Sequence, residues 1–387
     1  MKKVVIIMPT YREAENISKM IPELVDKEFP KIKGAEMHLL VVNDLGNDGK
    51  DDGTGEIVRE AMKTRKNIHI LEGKKEGLGW AYIRGMKHAI KKLKADAVME
   101  MDADFQHPPR FVKPMVEAYL GGAEYVIGSR YIKGGSVPKE WAFHRKAVSF
   151  FGNLFIRVVL VKPGLHDLTT GFRLTKVRGI LDRIDLDNLM EPKRFAYKVD
   201  LLYQSIKLAQ EVREVPLEFA PRTQEASKFS LEEMISTFKV AIILGIRDKQ
   251  RFIKFGVVGF IGYLVNAGFL WLLTRMEAPG FIAWSVPVEL SIVSNFLLNN
   301  IWTFRKEKIS GTGRILRKFA EFNGTSAGAL VIQTVAGSLG DLVLGVGYRQ
   351  ILLPFIIVFL VLPYNYFMYN AVIWKTWKIF GKKEKQR

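Results

Sequence analysis

Residues 97–109 read AVMEMDADFQHPP: an apolar run, two aspartates flanking one alanine, then a proline pair. The run 97–101 predicts a buried strand, and side chains two apart on a strand point the same way. Asp102 and Asp104 then share one side of the strand's C-terminal end, where two carboxylates repel unless a cation sits between them. Hard oxygen donors suit Mg2+ or Mn2+, which commonly arrive with a substrate's phosphates. Gln106 adds a carbonyl oxygen. A polar turn after a strand is the plainer reading of a bare D-x-D. His107-Pro108-Pro109 sets this one apart, because it stops the strand and opens a helix.

Working outward, short β-rich runs at 3–8, 37–42, 68–71, 97–101, 124–127 and 213–218 alternate with helical stretches at 14–27, 54–66, 77–94 and 109–121. That alternation predicts an α/β domain with a mostly parallel, doubly wound sheet and ligands beyond the strands' C-terminal ends. Three polar segments fall at such ends: 9–13, 43–44 and 102–106. In the first, Tyr11 offers a ring to stack on a base and Glu13 a carboxylate for a sugar hydroxyl; a turn with a helix cap is the alternative. Asp44 either caps the next turn or binds a base or ribose. The loop 44–54 holds Asp48-Gly49 and Asp52-Gly53, each able to make a tight turn. Gly77 and Gly79, with Lys74, open a helix whose N-terminus could attract phosphate, although such glycines are more often caps or turns. No G-x-x-x-x-G-K-[ST] occurs, and no G-x-G-x-x-G follows the first strand, so nucleotide binding here would rely on carboxylate and metal.

The chain has 387 residues, enough for two or three domains with a real core. Lys and Arg outnumber Asp and Glu 58 to 40, a net +18 that favours an anionic partner. With no cysteine, disulfides, thiolate catalysis and cysteine-bound metals are excluded. Near residue 250 the pattern changes. Long apolar blocks at about 255–274, 281–304, 320–341 and 350–374 predict four membrane-spanning helices. Glu289 interrupts the second, Asp341 ends the third, and prolines 354 and 363 fall in the fourth. Basic residues cluster before the first block (Arg247, Lys249, Arg251, Lys254), between the second and third (Arg305 to Lys318) and after the fourth (Lys375 to Arg387). Positive-inside bias puts both termini in the cytoplasm, and the N-terminus is no signal peptide. Segments 147–162 and 230–249 are either buried core helices or half-inserted at the headgroups.

In this order, MPTYREAEN, VVND, KKEGLGWAYIRGM, MDADFQHPP, VIGSRYIKGG, LHDLTTGFRL and PRTQEASKFS resemble the family 2 glycosyltransferases of GT-A fold, and among them the dolichyl-phosphate mannose synthases, over about residues 1–230. The second half resembles the four-helix GtrA-type membrane domain. The implied layout is a GT-A (Rossmann-like) domain at 1–229, an amphipathic interface helix at 230–250 and an all-α transmembrane domain at 251–387. By position, the resemblance implies that Pro9, Tyr11, Glu13, Val42 and Asp44 hold the guanosine end. Asp102, Ala103, Asp104 and Gln106 hold metal and diphosphate. Arg222 and Lys228 close over the phosphates, and Arg130, Ser136 and Arg145 meet the acceptor phosphate. Relatives carry two carboxylates where this chain has Asn43-Asp44, and its following loop is longer, which leaves Asp48 and Asp52 without an assigned role.

The implied reaction moves mannose from GDP-mannose to dolichyl or another polyprenyl phosphate, with inversion. It needs Mg2+ or Mn2+, with Asp104, Arg130, Arg222 and Lys228 serving catalysis. The implied location is a multi-pass cell-membrane protein with its catalytic domain cytoplasmic, a bilayer as partner, no nucleic acid and no obligate protein partner. The phosphate is already an anion near neutral pH, so no strong general base is needed. Alternatives are a UDP-glucose-dependent polyprenyl-phosphate glucosyltransferase and a sugar-lipid flippase. A processive polysaccharide synthase is disfavoured because Q-x-x-R-W is missing, and a D-x-D-x-T phosphatase because position 106 is Gln.

Overall fold

The computed structural model describes residues 1–46, 48–221, 231–277, 280–344 and 355–376. They divide into two compact units, Met1–Gly245 and Ile246–Arg387. The first is built on seven strands: β1 (Lys2–Thr10), β2 (Ala35–Leu45), β3 (Ile68–Lys74), β4 (Ala97–Glu100), β5 (Tyr125–Ser129), β6 (Arg173–Lys176) and β7 (Val212–Pro216). They lie in the order β3-β2-β1-β4-β6-β5-β7. The residues Val4 to Met8 are fully buried because both faces of β1 are covered. Val4, Ile6 and Met8 join one core cluster, while Val5 and Ile7 join another on the opposite face. Period-two alternation of a continuous apolar run thus produces the two-sided burial of a doubly wound sheet.

The first face is covered by α1 (Ala14–Ile21), α2 (Thr54–Thr64) and α4 (Val112–Leu120), the second by α3 (Leu78–Lys91) and part of α6 (Tyr197–Leu208). Helix α3 sits close: a Cβ on Gly85 would come within 2.5 Å of Ile7 and 2.9 Å of Val42. Strand order, not strand direction, switches at β1: β2 lies on one side of it and β4 on the other, so ligands are expected beyond the carboxyl ends of these three parallel strands.

Two sequence expectations need correction. No strand was expected between 127 and 213, yet β6 pairs antiparallel with both β4 and β5. Its sequence, RLTK, carries two cations and gives no strand pattern. Arg173 is nevertheless fully buried, its guanidinium donating to the carbonyls of Leu168 (3.1 Å) and Lys198. Second, β4 stops at Glu100, so Asp102 and Asp104 lie in the bend after the strand rather than on one face of it.

The two segments with undecided roles form α5 (Phe143–Val159) and the start of α7 (Leu231–Arg275), and within the first unit they pack on each other. Ile156 and Leu160 share a cluster with Val240, Ala241 and Leu244, and the rings of Phe155 and Phe238 lie 4.8 Å apart. Their other faces leave Phe143, Phe151, Val158 and Ile235 exposed.

In the second unit, α8 (Gly280–Leu298) and α9 (Thr312–Leu344) follow the rest of α7. Among the described residues no helix is long and apolar enough to cross a membrane. Residues 345–354, which include the start of the fourth expected span, lie outside those described. An aromatic core joins Phe296, Phe304, Phe322, Tyr369 and Trp374, with Phe304 and Trp374 stacked at 4.2 Å. Asn300 exchanges two hydrogen bonds with the backbone of Ile309, bracing the turn between α8 and α9.

Candidate active site

A cleft of about 530 Å³ opens beyond the carboxyl ends of β1, β2 and β4. Pro9, Tyr11 and Glu13 line it from the end of β1, Asp44 from β2, and Asp102, Ala103, Asp104 and Gln106 from the loop after β4. Arg130, after β5, and Arg145, on α5, line it as well. The three strands run in one direction side by side, so polar segments far apart in sequence meet beyond their carboxyl ends.

At one end, Asp44 is nearly buried and ion-paired with Arg84. Burial pushes its carboxyl up to about 6, against the pull of the Arg84 guanidinium. The ammonium of Lys75 lies 3.4 Å above the Tyr11 ring, and Glu13 accepts from the Asn16 amide at 2.6 Å. Asn43 does not line the cleft: it accepts from Thr10 at 3.0 Å and donates to Asp51 at 2.6 Å, tying β1 to the following loop. In that loop Asp51 accepts from the amides of Gly53 and Gly55, Asp52 from those of Thr54 and Ala14, and Asp48 from that of Lys50.

In the central loop the Asp104 carboxylate accepts from the Gln106 amide at 3.1 Å, and Phe105 adopts a left-handed φ of 59°. That tight turn holds the two carboxylates on one cleft wall in place of strand alternation. Asp102 accepts from the Tyr82 hydroxyl at 2.6 Å, and its backbone N–H donates to Nδ1 of buried His107 at 3.1 Å. Burial drives the His107 imidazole down to about 4, so it stays neutral and keeps that lone pair available as acceptor. Among the described residues no three His, Cys, Asp or Glu side chains form a ready metal cage. Two carboxylates and an amide oxygen are the hard, incomplete donor set of a cation that brings its remaining ligands on a phosphorylated substrate, so Mg2+ or Mn2+ fits.

At the far end Arg130 is clamped rather than loose. It makes a two-pronged ion pair with buried Asp167 (2.7 and 2.8 Å) and donates to Thr169 at 2.6 Å. Burial alone would raise the Asp167 carboxyl; Arg130 and three backbone N–H groups hold it below its ordinary value. Arg145 stacks 4.0 Å from the centre of the Trp141 ring.

Val42 and Ser136 do not line the cleft. Val42 is buried against α3, while Ser136 is exposed and uses its backbone to bridge Leu217 and Phe219. Arg222 and Lys228 lie outside the described residues. Sequence reading assigned no role to Asp167, Thr169, Gly171, Arg84 or Lys198, although LHDLTTGFRL contains the first three. Its Asp-Leu-Thr-Thr run carries the local signal of a polar turn built around a carboxylate.

Residues 5–182 match the family described as glycosyl transferase family 2, and residues 254–374 the GtrA/DPMS transmembrane domain. A dolichol-phosphate mannosyltransferase of Pyrococcus furiosus is 32% identical over 336 residues, covering 86% of this chain and 89% of that protein. A polyprenol monophosphomannose synthase of Mycolicibacterium smegmatis is 33% identical over 255 residues, covering 65% and 91%. Among solved structures, glucosyl-3-phosphoglycerate synthase of Mycobacterium tuberculosis with Mn2+ and UDP is 16% identical at a TM-score of 0.43, covering 64% of this chain and 79% of that one.

Proposed function

We propose that this chain, which belongs to glycosyl transferase family 2, transfers mannose from GDP-mannose to dolichyl or another polyprenyl phosphate, with inversion, at the cytoplasmic face of the cell membrane. One observation carries the reading. A single cleft is lined by the carboxylate and aromatic ring of Asp44 and Tyr11, by the 102–106 loop, and by Arg130 and Arg145. That order suits a base, a diphosphate and an acceptor phosphate in turn.

Asp44 accepts N–H donors of the base, and Tyr11 stacks on it, displacing the Lys75 ammonium toward the phosphates. Asp102, Asp104 and Gln106 would hold a divalent cation, which when bound neutralises charge growing on the departing diphosphate. Arg222 and Lys228 add positive charge to the same group. The acceptor's phosphate oxygen forms a bond to the anomeric carbon from the face opposite the leaving group. The bond from that carbon to GDP breaks, and GDP leaves with the electron pair. Arg130, rigid because Asp167 and Thr169 fix its guanidinium, orients the incoming phosphate, with Arg145 beside it. No proton transfer from a neutral nucleophile is required, consistent with a His107 that is buried and neutral.

The polyprenyl tail is insoluble in water, so four spans at about 255–274, 281–304, 320–341 and 350–374 would hold the enzyme beside its acceptor and raise its local concentration. The basic segments flanking these spans favour the cytoplasmic side and anionic headgroups. Exposed Phe143, Phe151 and Val158 on α5 support contact with the bilayer surface.

The deciding experiment is a radiolabelled transfer assay with polyprenyl phosphate, comparing GDP-mannose with UDP-glucose. Mannosyl lipid from GDP-mannose is the expected product. Glucosyl lipid from UDP-glucose replaces the donor assignment, and sugar-lipid movement across vesicles without synthesis removes the reaction altogether.

A further inference from the structure

Beneath the floor of the cleft lies a buried cation whose ammonium makes an ion pair but no hydrogen bond among the described residues. The Lys198 side chain is wholly inaccessible to solvent, and its Nζ has no hydrogen-bond partner among the described residues. Its neighbours are the Asp102 carboxylate at 3.8 Å and the faces of Tyr82 and Phe195 at 4.4 and 5.3 Å from the ring centres. The buried acid at the end of β4, Glu100, accepts from the Tyr197 hydroxyl at 2.9 Å on one oxygen, while its other oxygen has no hydrogen-bond partner among the described residues. Gly171, which lines the cleft, makes room for the ammonium: a Cβ there would stand 2.5 Å from Nζ. Arg173 anchors the same residue from behind by donating to its backbone carbonyl.

Burying an ammonium with three unused donors is unfavourable unless a nearby charge compensates. Asp102 provides that charge on its Oδ1, the oxygen that also accepts from Tyr82. The carboxylate therefore already has a resident positive charge, and a divalent cation must share it.

We propose that Lys198 sets the order of loading at this site. By offsetting one of the two cleft carboxylates, it leaves the nucleotide-free pair a weak divalent-cation site. The metal then binds only with a nucleoside diphosphate, whose own negative charges restore the attraction. This rests on the metal site proposed above and adds a positioning residue that touches neither sugar nor acceptor.

The test is Mn2+ titration of full-length protein, followed by loss of the free-ion EPR signal, with and without GDP and corrected for Mn2+ held by GDP alone. Wild-type protein should bind Mn2+ weakly alone and at least about tenfold more tightly with GDP present. Lys198→Gln should bind Mn2+ at least about tenfold more tightly than wild type when GDP is absent. Lys198→Arg, which keeps the charge, should behave as wild type. Unchanged or weaker binding by K198Q overturns the proposal. So does wild-type protein that binds Mn2+ equally well with and without GDP, a comparison that needs no variant to fold. If wild-type protein takes up no Mn2+ even with GDP, the metal site itself is wrong and the proposal falls with it.

Discussion

Two strand ends in this molecule carry acid-rich loops that look alike on paper, and the fold uses them in opposite ways. The end of β2 carries Asp44 and the loop after it Asp48, Asp51 and Asp52; after β4, the loop offers Asp102 and Asp104. The β2 loop must turn twice and start α2, so it exposes many unpaired backbone N–H groups. Asp48, Asp51 and Asp52 satisfy them, around Gly49 and Gly53 at φ of 74° and 96°. Only Asp44, still within the strand, reaches the cleft. The β4 loop is shorter and is closed by prolines, which carry no N–H. One Asp104 oxygen serves the Gln106 amide, and both carboxylates line the cleft. The fate of an acidic side chain thus follows from how many backbone donors its loop leaves unsatisfied.

That contrast can be broken by substitution. Asp104→Ala should reduce sugar transfer in Mg2+ or Mn2+ by about two to three orders of magnitude while circular dichroism stays native, comparable to removing a preorganised electrostatic contact in an active site. Full turnover by the variant would put the β4 loop in the same structural class as the β2 loop.

The next effect concerns pH. The folded Asp44 carboxyl is raised to about 6 from an ordinary 3.8, so this group's stability contribution is greatest below 3.8 and is lost as pH rises through 6. Donor binding through the carboxylate runs the other way. The KM for GDP-mannose should rise about fivefold between pH 6 and pH 5, because the ionised fraction falls from about one half to about one eleventh. Asp44→Asn should show a higher KM that no longer varies over that range. A wild-type KM flat from pH 5 to 7 would detach Asp44 from the donor.

The smallest change tests the other loop. Asp52→Ala removes the acceptor for the Thr54 and Ala14 amides and should lower unfolding stability by about 1 kcal/mol in denaturant titrations, with kcat unaltered. A large loss of kcat with unchanged stability would mean that the β2 loop contributes chemistry after all.

Much of this was legible in the linear chain. The mainly apolar, β-rich runs at 3–8 and 37–42, alternating with helical stretches, read as strands of a doubly wound sheet, and their ends locate the cleft. What escaped reading shares a cause. Strand β6 is hidden because Arg173, a residue expected at the surface, is buried where backbone carbonyls receive its guanidinium. Asp167 escaped because its partner Arg130 is 37 residues away, a pairing no local pattern encodes. Lys198 sits within the apparently ordinary helix α6, and only its depth below Gly171 gives it meaning.

For the stretch that fixed the fold, 97–109, sequence determined the strand, its abrupt stop and the presence of two carboxylates, since hydrophobicity and proline geometry act locally. Tertiary structure decided the rest. The turn at Phe105, not strand alternation, aligns Asp102 with Asp104, while Tyr82 and Lys198 claim one oxygen of Asp102. Charges and hydrogen bonds act between neighbours in space, and it is folding that selects those neighbours.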